Sequence, residues 1–309
     1  MSTTDAAAVH VATPAEPVHA GAVTVHRDVE FAVYEGHRPL ALDLYVPRDP
    51  RALVVYLHGG GWLRGSRRIT PAPHVWRRGE PFERLAAHGI AVACCDYRLS
   101  GEAVFPAQLD DVRAALRWLA EHRAAYGVRT GRTSLWGCSA GGHLAALAAL
   151  TGLTGLTADG DDPGGSASGV PRPDSVVCWY PPTDLTALAA DLAEAGGTPD
   201  EGPGSRESRL LGAPVSTVPE LARAASPVAR VRPGAPPFLF LHGTADVDVP
   251  LRQSTRLADA LTAAGTPAAV EPVPGAGHMF RELDENALTP LVDRTADFLL
   301  GGFGPEPMK

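Results

Sequence analysis

Residues 135–144 read Leu135-Trp136-Gly137-Cys138-Ser139-Ala140-Gly141-Gly142-His143-Leu144, and the reading of this stretch decides the fold. On the near side, Thr133-Ser134-Leu135-Trp136 is short and apolar enough for a buried strand. On the far side, Leu144-Ala145-Ala146-Leu147-Ala148-Ala149-Leu150 consists of strong helix formers. A strand that turns sharply into a helix with a serine at the corner is the context of a Gly-x-Ser-x-Gly nucleophile elbow. Glycines at 137 and 141 remove Cβ atoms from a corner where the backbone is strained and its neighbours close. The first amides of the helix aim at the serine and favour an anion forming there. Taken alone, the pattern serves equally well as a glycine-rich turn with an incidental serine, so the rest of the chain has to decide.

Upstream, residues 23–34 and 40–47 alternate and are read as two opening antiparallel strands. Residues 52–57 are continuously apolar, as in a strand buried on both faces, and run directly into His58-Gly59-Gly60-Gly61-Trp62. A helix is predicted over 82–88, a buried strand over 90–95 and a helix over 106–125. Downstream, 151–173 reads as a Gly/Asp/Ser-rich loop, 175–180 as a strand and 181–233 as short helical pieces broken by glycine and proline. A strand at 238–241, a helix at 251–264, a strand at 268–273 and a closing helix at 288–300 follow. Strands alternating with helices predict an α/β fold with a mostly parallel sheet covered on both faces. Ligands of such sheets bind beyond the carboxyl ends of the strands. The glycine loop, Ser139, Asp246 and His278 each follow a predicted strand, which gathers them on one edge.

A serine hydroxyl needs a positioned base, best a histidine, and the imidazolium that forms needs a carboxylate. Among 11 histidines, His278 lies on the loop Gly275-Ala276-Gly277-His278 after the final strand. His58 is the competing base but reads better as a brace for the glycine loop. His143 reads as a helix-packing residue and His242 as structural. Asp246 and Asp248 both follow the strand at 238–241, and the position directly after the turn Gly243-Thr244-Ala245 favours Asp246. Gly60, Gly61 and Ala140 offer backbone amides for an oxyanion. Trp62, Tyr180 and Met279 lie near enough to these motifs to narrow a substrate pocket.

Together the segments at 58–62, 96–99, 137–144, 242–250 and 275–278 resemble the α/β-hydrolase esterases. The likeness runs closest to the bacterial bifunctional acetyl-xylan/feruloyl esterase-like proteins, near the hormone-sensitive-lipase group, and extends over about residues 23–300. It implies an α/β-hydrolase fold with a mostly parallel central sheet, helices on both faces and a small cap insertion over 183–233. It also implies a Ser139–Asp246–His278 catalytic triad and an oxyanion hole of Gly60, Gly61 and Ala140. The expected activity is that of a serine hydrolase of the carboxylesterase type, a deacetylase or other small-ester esterase working through an acyl-serine. A formamidase or amidase similar to kynurenine formamidases, an acyl transferase, and a non-catalytic ligand-binding protein are the other readings. Two departures stand out: Cys138 occupies a place often acidic or aromatic in relatives, and Tyr180-Pro181-Pro182 stands where many have a glycine after the aromatic residue.

Composition narrows the partners. The net charge of −8, with no basic block, gives no electrostatic reason to expect nucleic acid or anionic membranes. No run reaches the roughly 18 apolar residues of a membrane span, and the opening residues lack the charge and apolar core of a secretory signal. A cytoplasmic location is expected, with a small-molecule ester as partner and a homodimer left open. Residues 1–20, rich in Ala, Thr and Pro, read as a mobile leader ahead of a domain over 21–309. Cys94, Cys95, Cys138 and Cys178 have no metal-ligand spacing and read as buried thiols; no metal or other cofactor is implied.

Overall fold

Three strands open the chain in antiparallel array: β1 (Val18–Ala20), β2 (Val23–Ala32) and β3 (Leu40–Pro47). They belong to a computed structural model that describes residues 17–77, 79–151 and 172–301. The strands β4 (Ala52–Leu57), β5 (Ile90–Cys95), β6 (Thr133–Cys138), β7 (Val176–Trp179), β8 (Phe238–Gly243) and β9 (Ala268–Val273) complete a nine-stranded sheet in the order β1-β2-β3-β5-β4-β6-β7-β8-β9. From β5 to β9 every pairing is parallel, and β5 joins β3 antiparallel.

The apolar runs explain the layering. In β4, Leu53, Val55 and Leu57 belong to one buried cluster, while Val54 and Tyr56 belong to the other. Successive side chains of a strand point to opposite faces, so an uninterrupted apolar strand demands cover on both. The first cluster takes in residues of α2 (Ala107–His122), α3 (Ala140–Thr151) and α7 (Leu251–Ala263); the second takes in α1 (Glu80–Ala87) and α8 (Glu285–Leu299). All residues of α3 are buried. Its alanines and glycines let the helix axis lie close to the sheet and fix where its first turn meets the end of β6.

Between β7 and β8 the chain forms α4 (Leu188–Glu194), α5 (Arg206–Leu211) and α6 (Pro219–Ala224). Polar contacts fasten this stretch to the sheet layers: the Thr183 amide donates to Gln253 Oε1 at 2.7 Å, and Arg256 clasps the Asp191 carboxylate.

Three expectations need correction or placing. The leader read over residues 1–20 ends sooner, because Val18–Ala20 pair with β2; residues 1–16 lie outside the described residues. The loop read over 151–173 lies outside them except at its ends. The last helix begins at Glu285 rather than at 288, because the Asp284 carboxylate accepts from the Ala287 amide at 3.0 Å and caps it before the apolar stripe starts. Among the described residues, no helix is long and apolar enough to cross a membrane.

Candidate active site

The carboxyl ends of β4, β6, β7, β8 and β9 bring the predicted site residues to one edge of the sheet. Ser139 sits between β6 and α3 with φ 52°, a left-handed conformation that a serine rarely adopts. Among the described residues, five of the six non-glycine residues with positive φ surround this edge: Trp62, Ser139, Tyr180, Met279 and Phe280. Such strain, about 1–3 kcal/mol per residue, persists only where the surroundings over-determine it, and it concentrates at functional sites. The elbow also needs its two glycines. A Cβ at Gly137 would collide with the Gly141 carbonyl, and one at Gly141 with the Leu57 carbonyl.

Ser139 Oγ donates to His278 Nε2 at 3.0 Å, and His278 Nδ1 donates to Asp246 Oδ2 at 2.8 Å. Asp246 Oδ1 accepts from the amides of Asp248 and Val249 at 3.0 and 2.8 Å. Burial alone would raise this carboxyl. The hydrogen bonds and charge of His242 and His278 outweigh it and hold Asp246 well below the usual carboxylate range. Asp246 is therefore an anion, placed where an imidazolium at His278 would form. Asp248 points elsewhere, with Oδ2 3.6 Å from Arg281 Nη1.

Asp246 has a second histidine partner, His242. His242 Nε2 donates to the Val249 carbonyl at 2.7 Å and lies 3.4 Å from Asp246 Oδ2, while Nδ1 pairs with the Ser254 hydroxyl. The ring thus pins both the carboxylate and the loop that carries it. The signal was the four-residue spacing between His242 and Asp246, but only the fold shows that the loop curls back over the ring.

The glycine loop lies beside Ser139. Gly60 and Gly61 line a cavity of about 390 Å³ together with Ser139 and His278. Among the described residues no carbonyl accepts from the amides of Gly60, Gly61 or Ala140; Ala140 opens α3, where a helix leaves its amides without internal partners. His58 braces the loop. Its Nδ1 donates to the Gly59 carbonyl at 2.7 Å, and its ring stacks on Tyr97 with centroids 4.3 Å apart.

Tyr180 and Met279 also line the cavity. The Tyr180 hydroxyl donates to the Pro71 carbonyl at 2.8 Å, and its ring meets that of His278 edge to face. Trp62 does not line it, contrary to expectation. Its indole is 1% exposed and donates from Nε1 to His143 Nδ1 at 3.2 Å. Positive φ at Trp62 turns the side chain down into the core, where it supports the loop from beneath. His143 passes the contact on, donating from Nε2 to the Ala225 carbonyl at 2.7 Å. One neutral imidazole so ties the glycine loop, α3 and the 181–233 segment together. Cys138 lines the cavity as well, but burial pushes its thiol up to about 12, so it stays protonated beside the serine.

The two bracing histidines give a pH prediction. Burial pushes both His58 and His143 down to about 4, against a histidine's usual value near 6.5 in the unfolded chain. Between those values the unfolded chain binds more protons than the folded one, so stability rises with pH across this window and falls as pH drops from about 6.5 toward 4. Denaturant midpoints should decline over that interval, and ring ¹⁵N shifts should still report both side chains neutral at about pH 5. A midpoint that stays level, with both rings protonated at that pH, would contradict the buried neutral pair.

A parallel sheet with a serine elbow, a histidine and a carboxylate at its carboxyl edge is the arrangement of an α/β-hydrolase domain. The chain belongs to the BD-FAE family, whose model matches residues 42–261. It is 30% identical over 257 residues to esterase LipC of Mycobacterium tuberculosis, a match covering 82% of this chain and 59% of LipC. The chain therefore spans about three fifths of that curated relative. Among solved structures it is similar to a truncated carbohydrate esterase from gut microbiota, with 27% identity, a TM-score of 0.73 and coverage of 94% of this chain and 99% of that one. It is also similar to the propionate-bound esterase Est2 of Thermogutta terrifontis, with 26% identity, a TM-score of 0.64 and coverage of 88% and 94%.

Proposed function

We propose that this protein is a serine carboxylic-ester hydrolase that acts on small esters through an acyl-Ser139 intermediate. The carrying observation is the hydrogen-bonded series from Ser139 through His278 to the Asp246 carboxylate, opening on a cavity bordered by unpaired loop amides. In this reading His278 takes the hydroxyl proton as Ser139 Oγ attacks the ester carbonyl, and Asp246 stabilises the resulting imidazolium. The amides of Gly60, Gly61 and Ala140 receive the oxyanion. As the tetrahedral intermediate collapses, His278 returns the proton to the departing alcohol. Water, activated by the same histidine, then releases the acid. A fluorophosphonate should add one phosphonyl group to the intact protein and none to Ser139→Ala, and a slow ester should leave an acyl adduct on Ser139. Rapid turnover with neither adduct would dismiss the acyl-serine route. Faster turnover of N-formylkynurenine than of a p-nitrophenyl ester would move the reading to a formamidase.

Compact acyl groups fit this site best. The cavity holds about 390 Å³ and is narrowed by Tyr180 and Met279, and Est2 has been solved with propionate and with butyrate bound. Each methylene is worth only about 1–3 kcal/mol in a pocket, so the preference is graded rather than absolute. We expect kcat/KM for p-nitrophenyl butyrate to exceed that for the dodecanoate by at least about tenfold. A faster dodecanoate would overturn the assignment to short esters.

A further inference from the structure

An acidic chain surrounds this cavity with cations. Arg64, Arg206 and Arg281 line it and, among the described residues, no aspartate or glutamate does, although the chain as a whole carries a net charge of −8. The three come from separate parts of the fold: the turn after the glycine loop, the first residue of α5, and the turn that follows His278. Two of them lie directly on the glycine loop. A Cβ placed on Gly61 would meet Arg206 Cδ at 2.5 Å and Cγ at 3.1 Å, and one on Gly60 would meet Arg64 Cγ at 3.3 Å. The missing Cβ at Gly61 therefore makes room for the Arg206 stem, which brings its guanidinium next to the amides proposed to receive the oxyanion.

Many of the other described arginines are paired with carboxylates. Arg27 pairs with Asp43, Arg84 with Asp293, Arg98 with Asp111 and Arg256 with Asp191. Arg64 and Arg206 have no ion pair or side-chain hydrogen bond among the described residues. Glu207, next in sequence to Arg206, feels its charge but makes no ion pair with it, and it lines a different and smaller pocket with Asp200 and Glu201. Arg281 is shared with Asp248. Two guanidinium groups without an ion pair on the wall of the cavity make its potential positive, and their planar forks match a carboxylate.

We propose that the site selects esters that themselves carry a carboxylate, which Arg206 and Arg64 hold across the glycine loop. This rests on the ester-hydrolase reading, and its test is built so that either can fail alone. Two matched substrate pairs distinguish where the acid sits: the p-nitrophenyl monoester of glutaric acid against p-nitrophenyl pentanoate for the acyl side, and p-acetoxybenzoate against p-acetoxybenzamide for the alcohol side. In at least one pair the acid should be favoured in kcat/KM by about fivefold or more at low ionic strength. That ratio should shrink as salt rises to about 0.5 M, and it should fall toward one in the double variant Arg64→Gln/Arg206→Gln. Calorimetry of Ser139→Ala with p-acetoxybenzoate and its amide gives the binding counterpart and needs no turnover. If wild-type protein hydrolyses none of the four esters, the hydrolase reading fails, and the calorimetric comparison still decides the anion site. Neutral members equal to or better than their acids in both pairs, or a ratio unmoved by salt and by the double variant, would overturn the proposal.

Discussion

Ser139→Ala is expected to lower kcat by on the order of 10⁴-fold or more while leaving the fold intact. Among the described residues, Ser139 Oγ is the atom that His278 Nε2 contacts, at 3.0 Å. Two neighbouring groups are poorly placed to substitute for it. Cys138 is held as a thiol by burial, and the Tyr180 hydroxyl is spent on the Pro71 carbonyl. Loss of a triad nucleophile removes covalent catalysis but leaves the oxyanion donors and the binding surface, so a residual rate over water remains. The substitution should be structurally benign, because the elbow is held by backbone contacts: the Ser139 amide donates to the Trp179 carbonyl at 2.8 Å, and the Ser139 carbonyl accepts from His143 at 3.0 Å. Alanine keeps both. It has the same Cβ and bears the same positive φ, so the melting temperature should move by no more than a few degrees. Steady-state kinetics on purified variant, with a melting curve on the same sample, check both halves. Retention of most of the activity would sink the serine mechanism.

Much of this arrangement is legible in the residues, for identifiable reasons. A strand buried on both faces must be apolar throughout, and 52–57, 90–95 and 238–241 announce themselves in that way. The strain at the elbow admits only small neighbours, so its glycines are visible too. The order of serine, aspartate and histidine along the chain puts each just beyond a strand, and parallel topology then brings them together. What stayed hidden depends on where the chain turns between elements. Nothing near Trp62 says that its φ is positive, so an aromatic residue following a glycine loop reads as a pocket wall when it is in fact the floor beneath the loop. Arg206 lies 145 positions after Gly61, on a helix of six residues with no period of its own, and its reach to the loop is a property of tertiary packing alone. His242 was hidden differently: its residue type was visible, but its contact with Asp246 arises because the loop folds back. The start of α8 was misplaced because apolar spacing marks the buried face of a helix, whereas its first turn is set by a cap.

The two aspartates after β8 should separate cleanly on substitution. Asp246→Asn is expected to lower kcat by roughly 10³- to 10⁴-fold with little change in KM, by analogy with the same change in the serine protease template. The reason is geometric and electrostatic together. Asp246 Oδ2 is 2.8 Å from His278 Nδ1, and the side chain is fully buried, so its full charge acts on the histidine with little screening. An asparagine amide in that place could present its NH₂ to Nδ1, which would favour the tautomer carrying its proton on Nε2, the wrong one for accepting the Ser139 proton. It would also remove the anion that stabilises the imidazolium. The variant should nonetheless fold, because an asparagine oxygen can still accept from the Asp248 and Val249 amides that now bond to Oδ1. Asp248→Asn should cost less than about tenfold. Its side chain faces Arg281 at 3.6 Å, a partly exposed pair of the kind that contributes at most about 1 kcal/mol, and only its backbone amide touches the Asp246 carboxylate. Asparagine preserves that amide. Both variants measured at saturating short-chain ester decide the matter: a crippled Asp248→Asn beside a near-normal Asp246→Asn would show that the carboxylate serving His278 is not the one the hydrogen bonds identify.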